Sequence, residues 1–285
     1  MINSIKTSFN VLKDNLIVVQ PLILYMILIG FVAQPVSFSL DQNLSSIIAI
    51  SIVFLFTAAF IAGWFYVIKL SIKMKDDVYE TPEEKGLAQI SLLKQFFTGV
   101  GDYFIPVIGM MLLYLTLAIA FSFLAYKFGV HYIGSFDIKK DLVKILTIDA
   151  KESYSILAAN TPSIEKLKII YWGAYFSVLS LVFTFVTLFL GAALLYSSKN
   201  PVKAFCENLV FLFKNFFGAI GLIIFLSVLN FFVSSIYVIS SLNIILSIIA
   251  LLLTFFYMTY HVVLIFVYYD EKTKDTCNSG TEFVG

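Results

Sequence analysis

The chain has 285 residues, of which 60% are hydrophobic and 13% charged, and its mean hydropathy is +0.94. About a quarter of the residues of an ordinary soluble domain are charged, so this composition excludes that class and indicates a chain built mostly inside lipid. The net charge of +1 gives no reason to expect nucleic acid as a partner. All 19 basic residues are lysine, so arginine, the side chain best suited to bidentate recognition of phosphate, is absent.

The first predicted element is an amphipathic helix at the N-terminus. Its apolar residues are spaced 3, 4, 3 and 4, which places them on one helical face: Ile2, Ile5, Phe9, Leu12 and Leu16. Lys6 and Lys13 lie off that face. A helix of this kind lies in the headgroup plane and is attracted to anionic lipid, so membrane lipid is an expected partner. The alternative is that the helix packs on the membrane spans as an ordinary connector.

Six apolar runs reach the roughly 20 residues that a helix needs to cross a bilayer. We number them spans one to six, at about 16–38, 46–68, 104–126, 171–196, 216–239 and 244–268. The short loops at 39–45 and 240–243 carry no lysine, whereas the segments at the opposite ends of the spans do. This distribution predicts that both termini are cytoplasmic. The long loop after span three also carries lysines, but long loops are translocated largely regardless of charge.

The start of the chain recurs at an offset of 200 residues, so that 2–70 matches 202–270 without a gap. The apolar spacing is repeated by Val202, Phe205, Leu209, Leu212 and Phe216, and Asn15 aligns with Asn215. A middle copy over 87–198 follows at an offset of 85, although Phe9 then falls on Lys94. The predicted fold is therefore an all-α, polytopic transmembrane bundle of six spans, with an interfacial amphipathic helix and a turn near Pro or Gly before each odd-numbered span.

These elements form one predicted membrane domain over 1–272, followed by a disordered tail over 273–285. The middle copy carries an outer insert at about 127–170, in which the stretch "FDIKKDLVKILTID" predicts a short surface helix. The insert caps the bundle, binds a partner, or is a tolerated surface excursion. Several aromatic residues near span ends are typical of interface belts: Trp64, Trp172, Tyr196, Tyr268 and Tyr269.

Span four carries the most regular polar pattern of the sequence, which we call the span-four stripe. Its small and hydroxyl-bearing residues are spaced 4, 3, 4, 3 and 4, on one helical face: Gly173, Ser177, Ser180, Thr184, Thr187 and Gly191. Small residues let helices approach closely, and hydroxyls can hydrogen-bond across the contact. The stripe is therefore either a helix–helix seam, which we favour, or the polar wall of a substrate path.

Spans five and six add further candidate residues for a polar seam or path. Ser227, Asn230 and Ser234 share one face near the middle of span five, and Asn230 is expected to point inward because an amide in hydrocarbon needs a partner. In span six, Thr254, Met258 and His261 share a face. His261 is the only ionisable side chain well inside a span, which makes it either a functional group or a neutral histidine bonded to a hydroxyl.

The sequence predicts no catalytic, metal or cofactor site. Cys206 and Cys277 lie outside any Cys/His cluster, and the two histidines have no metal-ligand spacing. No nucleotide-binding, zinc-hydrolase or serine-hydrolase motif occurs, and no Asp or Glu lies inside a predicted span. Acid–base catalysis needs positioned titratable groups, so we expect a protein that is not an enzyme.

The closing stretch "LTFFYMTYHVVLIFVYYDEK", after repeated helix-plus-hairpin units, resembles the six-span proteins typified by the glycerophosphoryl diester phosphodiesterase membrane domain and related prokaryotic membrane proteins. The resemblance is one of layout over about 2–270, and the chain lacks a soluble segment large enough to be the catalytic domain. It implies a multi-pass protein of a prokaryotic cell membrane, without hydrolase activity or defined site residues.

Two functions remain open from the sequence. The first is a non-enzymatic scaffold, accessory or regulatory membrane module that contacts lipid and another membrane protein or a second copy. The second is a permease or channel-like component for a small or lipidic solute, with the span-four stripe, Asn230 and His261 lining a cavity.

Overall fold

The computed structural model describes residues 1–38, 43–74, 81–134, 163–240 and 243–279. These residues are helical, and no strand occurs among them. In chain order the elements are α1 (Ile2–Asp14), a 3₁₀ turn (Leu16–Val19), α2 (Gln20–Phe38), α3 (Asn43–Lys73), α4 (Pro82–Tyr132), α5 (Ser163–Thr187), α6 (Leu190–Tyr196), α7 (Pro201–Lys214), α8 (Phe216–Ser240) and α9 (Ile244–Ser279). The predicted all-α class is confirmed.

Five helices of the described chain are long and apolar enough to cross a membrane. A sixth crossing results if α1 and the segment Leu16–Phe31, which meet at an angle of 88°, count as one broken span. The helices thus have the lengths that a polytopic bundle requires. The number of spans and the interfacial position of the amphipathic helices stay predictions.

The chain divides into two compact units. Unit 1 comprises Met1–Leu113 and Thr187–Gly285, and unit 2 comprises Tyr114–Val186. The single domain predicted over 1–272 stays a prediction. Of the outer insert, the structure describes only the end of α4 and the start of α5, so the predicted surface helix lies outside the described residues.

The core of unit 1 lies where the lysine-bearing ends of its helices meet. Val67 and Ile68 of α3, Ala192 of α6, and Leu264 and Val267 of α9 are all fully buried. The opposite halves of the same helices are exposed, as shown by Ile47, Ile48, Phe231, Phe232, Ile244 and Ile245. Unit 1 is therefore tightly packed at its lysine-bearing end and open along its distal apolar surfaces.

Helices α1 and α7, which the 200-residue repeat aligns, bury the same positions. The buried residues of α1 and α7 pair at that offset: Ser4 with Ala204, Ser8 with Asn208, Val11 with Phe211 and Leu12 with Leu212. Each helix ends at an asparagine whose side-chain amide donates back to a carbonyl four residues earlier, Asn15 to Val11 at 3.2 Å and Asn215 to Phe211 at 3.1 Å. The same local hydrogen bond therefore terminates both helices before their spans.

The apolar face of α1 is not the face that packs on α9. Ile2 and Phe9 are 79% and 61% exposed, whereas Ser4 and Ser8 are buried. The Ser4 hydroxyl donates to Glu271 Oε2 at 2.7 Å. The helix thus packs on the chain as a connector with its small polar residues, while Ile2 and Phe9 of its apolar face stay exposed and Leu12 of that face is buried. The two alternatives weighed for it therefore do not exclude each other.

The amphipathic helix predicted before span three is not a separate helix. The stretch from Pro82 runs through Pro106 to Tyr132 as the single helix α4. A proline inside a helix removes one backbone hydrogen bond, which membrane helices tolerate more readily than soluble ones because neighbouring groups satisfy the carbonyl. The turn predicted between this amphipathic helix and span three is therefore wrong.

Unit 2 consists of the second half of α4 and most of α5. The Tyr175 hydroxyl donates to the carbonyl of Ala125 at 3.0 Å, and Trp172 Nε1 donates to the carbonyl of Gly134 at 3.2 Å. Gly129 permits this contact, because a Cβ there would overlap the Trp172 ring. Aromatic donors on α5 thus bond to carbonyls of α4 and of the residues directly after it, and these bonds hold the pair together.

Four of the five residues assigned to interface belts are buried inside the protein. Trp64, Trp172, Tyr268 and Tyr269 are all at most 6% exposed. Trp64 Nε1 donates to the carbonyl of Val18 at 3.0 Å. The N–H of a tryptophan and the O–H of a tyrosine can bond to a buried backbone carbonyl as well as to a lipid headgroup. The position of these residues near span ends therefore did not distinguish burial in the protein from exposure at the membrane interface.

Helix α9 extends into the segment that was predicted to be a disordered tail from residue 273. Helix α9 continues to Ser279, with ion pairs between Lys274 and Asp270 at 2.7 Å and between Lys272 and Asp275 at 3.0 Å. Pairs at this spacing stabilise a helix. The last six residues of the predicted tail lie outside the described chain.

Candidate functional site

The span-four stripe is divided by a break in the helix. Helix α5 ends at Thr187 and α6 begins at Leu190, so Gly191 does not continue the face of the preceding residues. The first four members, Gly173, Ser177, Ser180 and Thr184, are exposed on unit 2. The Ser177 hydroxyl donates to the carbonyl of Gly173 at 2.8 Å. Gly191 instead packs in unit 1, where a Cβ would lie 2.6 Å from the ring of Phe65.

The break in span four is fixed by a residue that the sequence did not single out. The Asn208 side chain on α7 is fully buried, and its Oδ1 accepts the backbone N–H of Phe189 at 3.1 Å. Phe189 is also fully buried, with its ring centroid 4.8 Å from that of Phe211 and 5.7 Å from that of Tyr268. At the break, the Asn208 side-chain oxygen of α7 therefore takes the place of the backbone carbonyl that would accept the Phe189 N–H in a continuous helix.

The candidate residues of span five lie on one exposed face, which we call the polar face of α8. Ser227, Asn230 and Ser234 are all exposed, and they recur within one or two helical turns. The side-chain amide of Asn230 makes no hydrogen bond within the described part of the chain. Unit 1 thus does not provide the inward partner that was expected for Asn230.

The candidate residues of span six are only partly covered. His261 is half-buried, and its ring meets that of Tyr257 edge-on at 5.9 Å. The Thr254 hydroxyl donates to the carbonyl of Ala250 at 2.8 Å, and Met258 is 42% exposed. Tyr257 in turn donates to the carbonyl of Leu226 on α8 at 3.3 Å. The structure brings His261 next to an aromatic ring rather than a carboxylate or a hydroxyl acceptor.

A lysine–tyrosine cluster joins the lysine-bearing ends of α3, α4 and α6. The Lys69 ammonium donates to the carbonyl of Leu195 and lies 5.1 Å from the ring centroid of Tyr196. The Lys199 ammonium lies 4.7 Å from the ring centroid of Tyr103. These are cation–π distances, and they hold two positive charges against aromatic faces at the packed end of unit 1.

Close to this cluster, two buried polar atoms have no hydrogen-bond partner among the described residues. They are the Tyr196 hydroxyl and Glu207 Oε2. Glu207 Oε1 lies 3.9 Å from the ammonium of Lys203, while Tyr269 shares a hydrogen bond of 2.7 Å with Ser197. The lysine-bearing end of unit 1 therefore contains a polar cluster, of which the sequence singled out only Tyr196 and Tyr269, as interface-belt residues.

Within the described ranges, no group of three or more His, Cys, Asp or Glu side chains is placed to hold a metal ion. Comparisons with protein-family models, with curated proteins and with solved structures found no match. The resemblance in layout to the glycerophosphoryl diester phosphodiesterase membrane domain therefore stays an expectation.

Proposed function

We propose that this protein is a non-enzymatic, multi-pass accessory or scaffold subunit of a prokaryotic cell membrane, which binds another membrane protein or a second copy of itself through the polar face of α8. The observation that carries the proposal is the exposure of Ser227, Asn230 and Ser234 near the middle of an apolar helix.

Lipid does not supply hydrogen bonds, so an exposed amide at this depth is costly unless another protein covers it. Asn230 lies 14 residues beyond the start of α8, at Phe216. This distance corresponds to about 21 Å along the helix, which is well inside a hydrocarbon core of about 30 Å. The two serines beside Asn230 are small enough to let a second helix approach closely, and an amide can donate and accept across such a contact.

The orientation with both termini cytoplasmic is part of the proposal. The lysine-bearing segments of unit 1 contact one another: Lys85 forms an ion pair of 2.9 Å with Asp14, and Ser4 donates to Glu271. These contacts join the first amphipathic helix to α4 and to the end of α9, as expected if all of them lie on one side of the membrane. The exposed Ile2 and Phe9 side chains of α1 support contact with lipid on that side.

The partner contact is tested by Asn230→Leu in the full chain, purified from the native membrane with its associated proteins. We expect the variant to lose the co-purified subunit or the dimer, while Phe232→Leu, an exposed apolar residue elsewhere on α8, leaves it unchanged. Retention of the partner or dimer by the Asn230 variant would contradict the proposal.

The alternative function, a permease or channel-like component, is favoured by the exposure of Ser180 and Thr184 on α5. Hydroxyls that line a path are reached by water, whereas those in a helix–helix seam are not. Single cysteines at 180, 184 and 230, in a chain with Cys206 and Cys277 replaced by serine, distinguish the two functions. Labelling of all three by a membrane-impermeant maleimide supports a path; protection of position 230 supports the partner contact.

A further inference from the structure

An apolar groove on unit 1 lies between the second half of α1, with the bend that follows it, and the middle parts of α8 and α9. It has a volume of about 570 Å³ and opens to the surface. This volume lies within the range of about 300–1,000 Å³ that is typical of ligand sites. Phe225, Leu229 and Val233 line it from α8, and Leu253 and Phe256 line it from α9.

The two tyrosines in the lining contribute only their rings to the groove, because their hydroxyls form hydrogen bonds with backbone carbonyls. Tyr257 and Tyr260 both contribute to the lining. The Tyr257 hydroxyl donates to the carbonyl of Leu226 and the Tyr260 hydroxyl to the carbonyl of Ile5, each at 3.3 Å. Their rings therefore form part of the wall, while their polar ends are bound to the backbone.

One end of the groove carries a charge. Phe9, Leu12 and Leu16 line that end, and Lys13 is the only charged residue in the lining. Lys13 is exposed and forms no ion pair within the described part of the chain, whereas the adjacent Asp14 is bound to Lys85 at 2.9 Å. The groove thus has an ammonium at the lysine-bearing end of the helices and only apolar walls towards the middle of the spans.

We propose that this groove binds one anionic phospholipid, with an acyl chain between α8 and α9 and the phosphate at Lys13. The arrangement of charge and apolar surface matches such a lipid: the headgroup lies at the level of α1, and the chain runs along the spans. From Phe225 to Val233 the wall extends about 12 Å along α8, a distance that a chain, and not a free phosphate, fills. The site is separate from the polar face of α8, because Asn230 is absent from its lining.

The positive charge of Lys13 is the reason why the proposed lipid is anionic. An acyl chain that moves from the bilayer into the groove gains little free energy from the apolar walls, because the surrounding acyl chains are equally apolar. The preference for this site over the surrounding bilayer therefore comes from the charge at its end and from the shape of its walls. A lysine near the membrane surface strengthens binding of anionic lipid by a factor of about five.

The experiment uses the full chain in vesicles of equal amounts of phosphatidylcholine and phosphatidylglycerol, with a trace of phosphatidylglycerol that carries a diazirine in its acyl chain. After photolysis, peptide mass spectrometry locates the label. We expect it between Phe225 and Val233 or between Leu253 and Tyr260, with competition by unlabelled phosphatidylglycerol and none by phosphatidylcholine or inorganic phosphate. Labelling spread over all exposed helix surfaces would overturn the proposal.

Two pairs of variants complete the test. Lys13→Gln should lower labelling about fivefold, while Lys6→Gln, the same charge change on the same helix but outside the groove, should not. Equal losses in both would show surface attraction without a site and refute the proposal. Leu229→Trp should fill the groove and remove the label, unlike Phe232→Trp on the exposed surface of α8. If the Leu229 variant does not fold, the lysine pair decides alone.

Discussion

The hydrogen bond between Asn208 and Phe189 is expected to be among the most important polar contacts for stability. Asn208→Ala removes the acceptor from a fully buried backbone N–H, to which the amide bonds at 3.1 Å. An unsatisfied buried N–H costs about 1–3 kcal/mol, and truncation at a fully buried site adds about 1 kcal/mol for the cavity. We therefore expect the free energy of unfolding to fall by about 2–4 kcal/mol.

The repeat supplies a matched control for this variant. Ser8 occupies the equivalent position of α1 and is also fully buried, but its hydroxyl donates to the carbonyl of Ser4 within the same helix at 2.6 Å. Its removal leaves no backbone group without a partner, so Ser8→Ala should cost less than about 1 kcal/mol. Unfolding by sodium dodecyl sulfate titration in mixed micelles measures both changes. Equal losses in the two variants would refute the role assigned to the break in span four.

Two further predictions concern glycines. Gly191→Val should lower the thermal midpoint in detergent by several degrees, because its side chain would meet the ring of Phe65, whereas Gly173→Val, in open space on the same predicted stripe, should not; equal shifts would contradict the division of the stripe. Gly218→Ala should destabilise by about 1–3 kcal/mol through overlap with the Tyr268 hydroxyl. Adding Tyr268→Phe should recover part of that loss, and a strictly additive double variant would contradict this contact.

The sequence was sufficient for features that depend on residues close together in the chain. The apolar spacing that starts at Val202 located α7, whose N-terminus is capped by the Asn200 side chain: its Oδ1 accepts the amide of Val202 at 3.0 Å. Asn15 and Asn215, which the 200-residue repeat aligns, end their helices with the same side-chain hydrogen bond. Periodicity reports which residues share a face as long as the helix is continuous.

Periodicity does not report which residues cover a helical face or where a helix bends. Predictions that depended on such contacts and bends were wrong or stay predictions. The bend expected before span three is absent because α4 tolerates Pro106. The lysine–tyrosine cluster joins Lys69 to residues more than 120 positions away, such as Leu195, through a contact that leaves no spacing pattern. The span-four stripe is regular in sequence, yet the break before Leu190 separates its last member from the others.

The distribution of polar groups in unit 1 explains why a partner is expected at one end of its helices and not at the other. In a membrane, helices gain little from burying apolar surface against one another, so close packing relies on small residues and hydrogen bonds. At the lysine-bearing end, Ser4, Ser8 and Asn208 supply both within the chain. Further along α8, Ser227 and Asn230 offer the same kind of surface, but they are exposed. The same kind of polar surface is thus present a second time on the exposed side of α8, and the proposed function assigns its counterpart to another helix.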